Sequence, residues 1–168
     1  VVLCTGRTIK GTLRFYKQLG LDTLMITAGG AEIYDAGQNR IFEDEVDPKL
    51  VKDVLKYAYD NGIHAQVYID GELIYRERNK YSEIYEGPYG YPGTLIPGLM
   101  DLPEIITPKV LYVVDADKAA NIQKDAEKIF PSLAIRRSKP MYIEFMSPSI
   151  SKGTALKFVA DYYGIDLK

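Results

Sequence analysis

The chain has 168 residues, 46% of them hydrophobic and 26% charged, with 21 basic against 23 acidic side chains and a formal net charge of -2. A balance this even argues against a dedicated nucleic-acid or polyanion binder, which carries clustered Lys and Arg in clear excess, and the apolar content argues against disorder over most of the length. No apolar stretch approaches the roughly 18 residues of a membrane span and no secretory signal opens the chain, so no membrane association and a cytoplasmic location are expected.

The single cysteine, Cys4, cannot form an internal disulfide, and one cysteine with one histidine cannot build a Cys/His zinc site. Val1-Val2-Leu3-Cys4 reads at once as a buried strand of a parallel sheet, with no initiator methionine and no lead-in. The expectation is a sequence that starts inside a fold and forms the middle of a longer protein.

Ile9, Leu13, Tyr16 and Leu19 fall at helical spacing before Gly20, which predicts a helix over residues 7–19. Leu24 to Thr27 reads as a second buried strand, giving a parallel, right-handed strand-helix-strand unit. Residues 32–42 read as two short strands around a turn at Gly37 and Asn39. Asp47-Pro48 is an N-cap followed by proline at the first helical position, and Leu50, Val51, Val54, Leu55 and Ala58 line one face until Asn61-Gly62.

Strands are expected at 65–69, after the Asp70-Gly71 turn at 73–75, and around Tyr81 to Tyr85. From Gly87 to Gly98 seven of twelve residues are Gly or Pro, which predicts a loop. A strand over 109–114 then leads to Asp117, expected to cap a helix through Phe130. Strands at 133–137 and 141–145 follow, and a last helix starts near Lys152.

Two short segments carry chemistry. Thr5 puts a hydroxyl at the carboxyl end of the first strand, where open α/β sheets bind ligands, and Gly6 allows close approach of the backbone; capping of the following helix is the alternative role for Thr5. Ser151-Lys152-Gly153-Thr154 opens the last helix. A cation at a helix N-terminus is electrostatically unfavourable, so Lys152 needs either an anionic ligand or a neighbouring carboxylate. Cysteine-phosphatase chemistry at Cys4 fails because Lys10 stands where the phosphate-cradling arginine would be.

Thr5-Gly6-Arg7, then Gly30-Ala31-Glu32-Ile33-Tyr34-Asp35, then Tyr142-Ile143-Glu144-Phe145 through Pro148 into Ser151-Lys152-Gly153-Thr154-Ala155-Leu156 resemble the haloacid dehalogenase superfamily. More narrowly they are similar to its Cof-like phosphatases, over essentially the whole chain. The resemblance implies an α/β fold: a Rossmann-like parallel core, incomplete here, with an inserted α+β cap domain containing an antiparallel sheet. Core would be residues 1–46 and 148–168, and cap 47–147.

It also implies magnesium-dependent hydrolysis of a small phosphorylated metabolite, such as a sugar phosphate, through an aspartyl-phosphate. Thr5 and Lys152 match the phosphoryl-binding residues, and Gly6, Arg7, Gly30 and Ala31 match substrate-binding positions. The nucleophile motif is expected upstream of Val1 and the Mg2+ ligands after Lys168, so no metal ligand is expected in this chain and no phosphatase activity from it alone. A non-catalytic recognition module built on the cap fold is the alternative.

Four other features are read as structural. Asp115-Ala116-Asp117 imitates the nucleophile motif but lacks its continuation and lies within the expected cap. Eight tyrosines from Tyr57 to Tyr91 read mostly as core, with a sugar or aromatic platform as the alternative. Arg136, Arg137 and Lys139 read as a solvated strand end, with contact to a phosphorylated substrate as the alternative, and His64 as a strand start. Gly29 stands where the family often has asparagine.

Overall fold

The structure is a computed structural model and describes residues 1–166. In chain order the elements are β1 (Leu3–Cys4), α1 (Ile9–Gln18), β2 (Met25–Thr27), β3 (Glu32–Tyr34), β4 (Arg40–Glu43), α2 (Pro48–Asp60), β5 (His64–Ile69) and β6 (Glu72–Tyr75). They continue with α3 (Lys80–Tyr89), β7 (Thr94–Leu95), β8 (Val110–Val113), α4 (Ala119–Ile129), β9 (Ala134–Lys139), β10 (Tyr142–Met146) and α5 (Lys152–Tyr162). The chain folds as two compact units: its first 44 residues together with the segment from Ser149 onward, and Glu45–Pro148.

The first unit holds a four-stranded sheet in the order β1-β2-β3-β4. β1 and β2 are parallel, with Leu3 opposite Met25 and Cys4 opposite Ile26, and α1 is the crossover between them. β2, β3 and β4 run antiparallel. Leu24, Ile26 and Ile33 are buried with Ala155 and Val159 of α5, while Tyr16 of α1 packs with Met25 and Tyr34. The period-3.6 stripe of each helix is what supplies those contacts.

The second unit is a six-stranded sheet, β7-β6-β5-β8-β10-β9, antiparallel throughout except for the short β6–β7 edge pair. Strand alternation gives it two apolar faces. Ala65, Val67, Val110, Tyr112, Ile143 and Phe145 share one core with Val51, Val54, Leu55 and Ala58 of α2 and Ala119 and Ala126 of α4. Tyr112 is fully buried, its ring 4.4 Å from that of Phe145 and its hydroxyl donating to the Val54 carbonyl (2.5 Å). Burying a side chain of this size is worth about 2 kcal/mol.

The opposite face carries Tyr68, Leu73, Tyr75, Leu111, Val113 and Tyr142, covered in part by Tyr85 of α3. Three members of the tyrosine-rich segment are therefore core: Tyr68, Tyr75 and Tyr85 are buried, and the Tyr68 hydroxyl donates to that of Tyr85.

Three expectations differ from the structure. Residues 81–85 form part of α3, not a strand, because Asn79 and Ser82 make a reciprocal capping box that nucleates a helix and places Tyr81 and Tyr85 one turn apart. That helix continues through Gly87 and Pro88 before Gly90 ends it with φ of 95°, so the Gly/Pro segment is helix at its start, and β7 adds an edge strand. Asp117 does not cap α4. The helix starts at Ala119 with Lys118 in the N-cap position and no side-chain cap, while the Asp115 carbonyl accepts from the Lys118 and Ala119 amides. The basic residues Arg136, Arg137 and Lys139 lie exposed on the edge strand β9.

Candidate active site

Beyond β1 the chain is stitched across to the segment that follows β2. The Thr5 amide donates to the Ile26 carbonyl (3.0 Å), extending the parallel pairing by one residue. The Gly29 amide donates to the Thr5 carbonyl (2.9 Å) and the Ala28 amide to the Arg7 carbonyl (2.7 Å). Residues 28–30 make one turn of 3-10 helix with three successive positive φ angles: 48° at Ala28, 78° at Gly29 and 111° at Gly30. A left-handed alanine is strained, and the run persists because the bonds to Thr5 and Arg7 hold it.

The Thr5 hydroxyl accepts from the Arg7 amide (3.2 Å), and its own proton has no acceptor among the described residues. It does not cap α1, whose N-cap is Thr8. It is a half-buried donor at the carboxyl end of a parallel strand. Gly6 beside it borders open space, where an added Cβ would meet nothing within 4 Å. The Arg7 guanidinium lies 5.5 Å over the Phe15 ring.

α5 begins at Lys152. Ser151 is its N-cap, accepting from the Thr154 amide (3.0 Å) while the Thr154 hydroxyl closes the reciprocal half of the capping box. This end of the helix is set against Gly30: a Cβ on Gly30 would fall 2.5 Å from the Ser151 carbonyl oxygen and 3.2 Å from the Lys152 nitrogen. Gly30 is buried at that contact, as is Ala31, whose carbonyl accepts from the Asp44 amide (2.9 Å).

Lys152 is exposed and has no carboxylate partner among the described residues, so the acidic-neighbour explanation for a lysine at this helix end falls away. Its charge is felt at Cys4, the last residue of β1: burial pushes the thiol up, and the Lys152 ammonium pulls it back down in smaller measure. The thiol is therefore protonated at neutral pH, which removes it as a nucleophile. Thr5, Gly6, Gly30 and Lys152 thus gather at one end of the first unit's sheet.

Glu32 lies beside this group and is 2% exposed. Its carboxylate accepts from the Thr27 hydroxyl (3.2 Å) and lies 3.6 Å from Arg40, yet burial dominates and pushes its pKa up. Ser149 bonds Asp44 through its hydroxyl. Composition alone gives no sign of the Gly30–Ser151 contact or of a Thr5 hydroxyl proton with no acceptor among the described residues.

The described residues contain no cluster of three His, Cys, Asp or Glu able to hold a metal ion. The imitation motif is explained otherwise: Asp115 accepts from the Tyr81 hydroxyl (2.9 Å), Lys118 (3.1 Å) and Lys80 (3.5 Å). Among the described residues no helix is long and apolar enough to cross a membrane.

The model of the haloacid dehalogenase-like hydrolases matches residues 1–168, and the chain belongs to that family. Among curated relatives, a protein of Haemophilus influenzae named as a phosphatase is 24% identical over 172 residues, covering 96% of this chain and 61% of its own length. One of Streptococcus pyogenes, also named as a phosphatase, is 29% identical and is matched over 99% of this chain and 64% of its own. The chain thus spans somewhat over three fifths of these relatives. Solved structures agree in fold. A Thermotoga maritima protein superposes with a TM-score of 0.87 at 24% identity, over 98% of this chain and 62% of that one. A haloacid dehalogenase-like hydrolase of Bacteroides thetaiotaomicron gives 0.88 at 18%, over 98% and 64%.

Proposed function

We propose that this chain is the phosphate-gripping and cap-bearing part of a phosphatase that hydrolyses a small phosphorylated metabolite, a sugar phosphate being the class in view. The observation that supports it most is the seating of the Ser151–Lys152 backbone on Gly30. That contact sets an ammonium with no carboxylate partner among the described residues, and a Thr5 hydroxyl with no acceptor among them, at one end of the same small sheet.

In this role the Thr5 hydroxyl donates to one phosphoryl oxygen, and Gly6 leaves room for the phosphate to approach the backbone. Lys152 supplies positive charge where negative charge builds up in phosphoryl transfer, and the amides at the start of α5 add the favourable end of the helix dipole. Gly30 and Ala31 form the backing of that grip, and Arg7 guards its flank. The inserted unit, Glu45–Pro148, serves as the cap. The aspartate nucleophile and the Mg2+ ligands belong, by family likeness, to sequence on either side of this stretch. One relative, from Bacillus subtilis, is named a 5-amino-6-(5-phospho-D-ribitylamino)uracil phosphatase and is 27% identical over 194 residues. That name is consistent with a small organic phosphate as substrate.

The test is steady-state hydrolysis of a panel of sugar phosphates and an aryl phosphate by the whole protein. Replacing Lys152→Ala is expected to lower kcat/KM by about 10²–10³-fold, and Thr5→Ala by a smaller factor. Thr5→Ser should restore most of the loss because it keeps the donor. Unchanged turnover in Lys152→Ala would remove the proposal.

A further inference from the structure

The left-handed turn at residues 28–30 is closed behind by a buried side-chain hydrogen bond. Thr27 and Glu32 face each other as the last pair of the β2–β3 ladder, and only Ala28, Gly29, Gly30 and Ala31 lie between them. Thr27 is fully buried and Glu32 nearly so. The Thr27 hydroxyl donates to the Glu32 Oε2 (3.2 Å), with the Glu32 carbonyl oxygen a more distant acceptor at 3.4 Å. One bond between side chains thus joins the two ends of a turn with three positive φ angles in succession. Strain of that kind persists only where the surroundings fix it.

The other carboxylate oxygen, Oε1, lies 3.6 Å from the Arg40 guanidinium, and Arg40 also pairs with Glu43 (2.8 Å). From β3, Glu32 therefore reaches β2 through Thr27 and β4 through Arg40. Stability does not explain a carboxylate here. Taking its charge out of water is costly, and burial outweighs the favourable partners and raises its pKa. An apolar or amide side chain of the same size would fill the position without that penalty. A residue that works against stability beside a strained turn is explained by what it holds in place.

That turn carries three contacts. The Ala28 and Gly29 amides donate to the Arg7 and Thr5 carbonyls, and Gly30 seats the Ser151–Lys152 backbone. A rotation at Thr27 would shift Thr5 and Lys152 relative to each other, and a displacement of about 1 Å costs on the order of 10²-fold in rate. We infer that Glu32 is a positioning residue: it accepts from Thr27, with Arg40 holding its carboxylate from the other side, and so fixes the turn that spaces Thr5 and Lys152 for a phosphoryl group. This rests on the reading of those two residues as phosphoryl-binding.

The test is aryl phosphate hydrolysis by the whole protein, with the folded fraction of each variant measured by urea unfolding. Glu32→Leu keeps the volume and removes the acceptor, and Thr27→Val removes the donor. Each is expected to lower kcat by about tenfold or more per folded molecule, with KM moving less. The double variant should be no worse than the more impaired single one, because both remove the same bond. Glu32→Gln keeps an acceptor for Thr27 and should retain most of the parent kcat. The inference is overturned if Thr27→Val or Glu32→Leu turns over at the parent rate per folded molecule, or if Glu32→Gln is as impaired as Glu32→Leu. Should Glu32→Leu fail to fold, Thr27→Val and Glu32→Gln decide the matter. Lys152→Ala separates the two readings. If it abolishes turnover while Thr27→Val and Glu32→Leu do not lower it, only the role of Glu32 falls; if it leaves turnover unchanged, the phosphate grip falls with it.

Discussion

Gly30 and Ser151 approach so closely that a single methyl group on Gly30 would lie 2.5 Å from the Ser151 carbonyl oxygen. The contact is backbone against backbone, so neither side can yield by turning a rotamer. It also falls on a residue with φ of 111°, a conformation that side chains disfavour. One glycine thereby sets the height at which Lys152 stands over the end of β1.

Gly30→Ala is expected to destabilise the protein by about 2–4 kcal/mol, combining backbone strain with overpacking. Urea unfolding followed by circular dichroism measures it. A change below 1 kcal/mol, on the order of an ordinary surface substitution, would mean that α5 can lift off Gly30 at little cost.

The 168-residue chain by itself is expected to show no hydrolysis of a generic aryl phosphate above background in the presence of magnesium. Asp115 is engaged by Tyr81, Lys118 and Lys80, and those partners hold its carboxyl below the usual range, first through the Lys118 bond. Turnover that disappears with both a chelator and Asp115→Asn would instead make Asp115 a nucleophile.

Burial holds the His64 imidazole below its ordinary 6.5, against smaller opposing effects of Gln66, Glu77 and Glu86. The folded protein therefore binds fewer protons at this group than the unfolded chain does. Its stabilising contribution is complete above pH 6.5 and is lost as pH falls through the folded value. An NMR titration of the single histidine should give a midpoint below 6.5, and a midpoint at or above that value contradicts the burial.

Glu32 behaves in the opposite sense. Its pKa is raised from 4.5, chiefly by burial, so the native state holds this proton more tightly than the unfolded chain. Its contribution is complete below pH 4.5 and declines as pH rises through the folded value. Glu32→Gln is expected to unfold at higher urea than the parent at pH 7, with the gap closing toward pH 4.5. A less stable variant at pH 7 would show that the Arg40 pair outweighs desolvation.

Asn79→Ala removes the cap of α3 and is expected to cost about 1 kcal/mol, read as a lowered urea midpoint. The same substitution in a strand or loop would be close to neutral, so the measurement also distinguishes the helix from the strand that the tyrosine pattern suggests.

Much of this protein was legible in one dimension wherever its information is local. Asp47-Pro48 starts α2, Asn61 ends it, and the Leu24–Thr27 run makes β2, because caps and periodicity act within a few residues. Thr5 and Lys152 stood out for the same reason, each sitting at the boundary of an element. Residues 80–89 misled because three tyrosines and a Gly-Pro pair mimic strand and loop, while the deciding Asn79–Ser82 box is a reciprocal contact that composition does not weigh.

What lay beyond the sequence was decided by pairs distant along the chain. Gly30 meets Ser151, Tyr112 donates to the Val54 carbonyl, and Lys152 is left without a carboxylate partner among the described residues. Each depends on how separate elements pack. Local propensity chooses the elements, but the approach distances between them, and hence which polar atoms stay open to a ligand, follow from close packing of the whole.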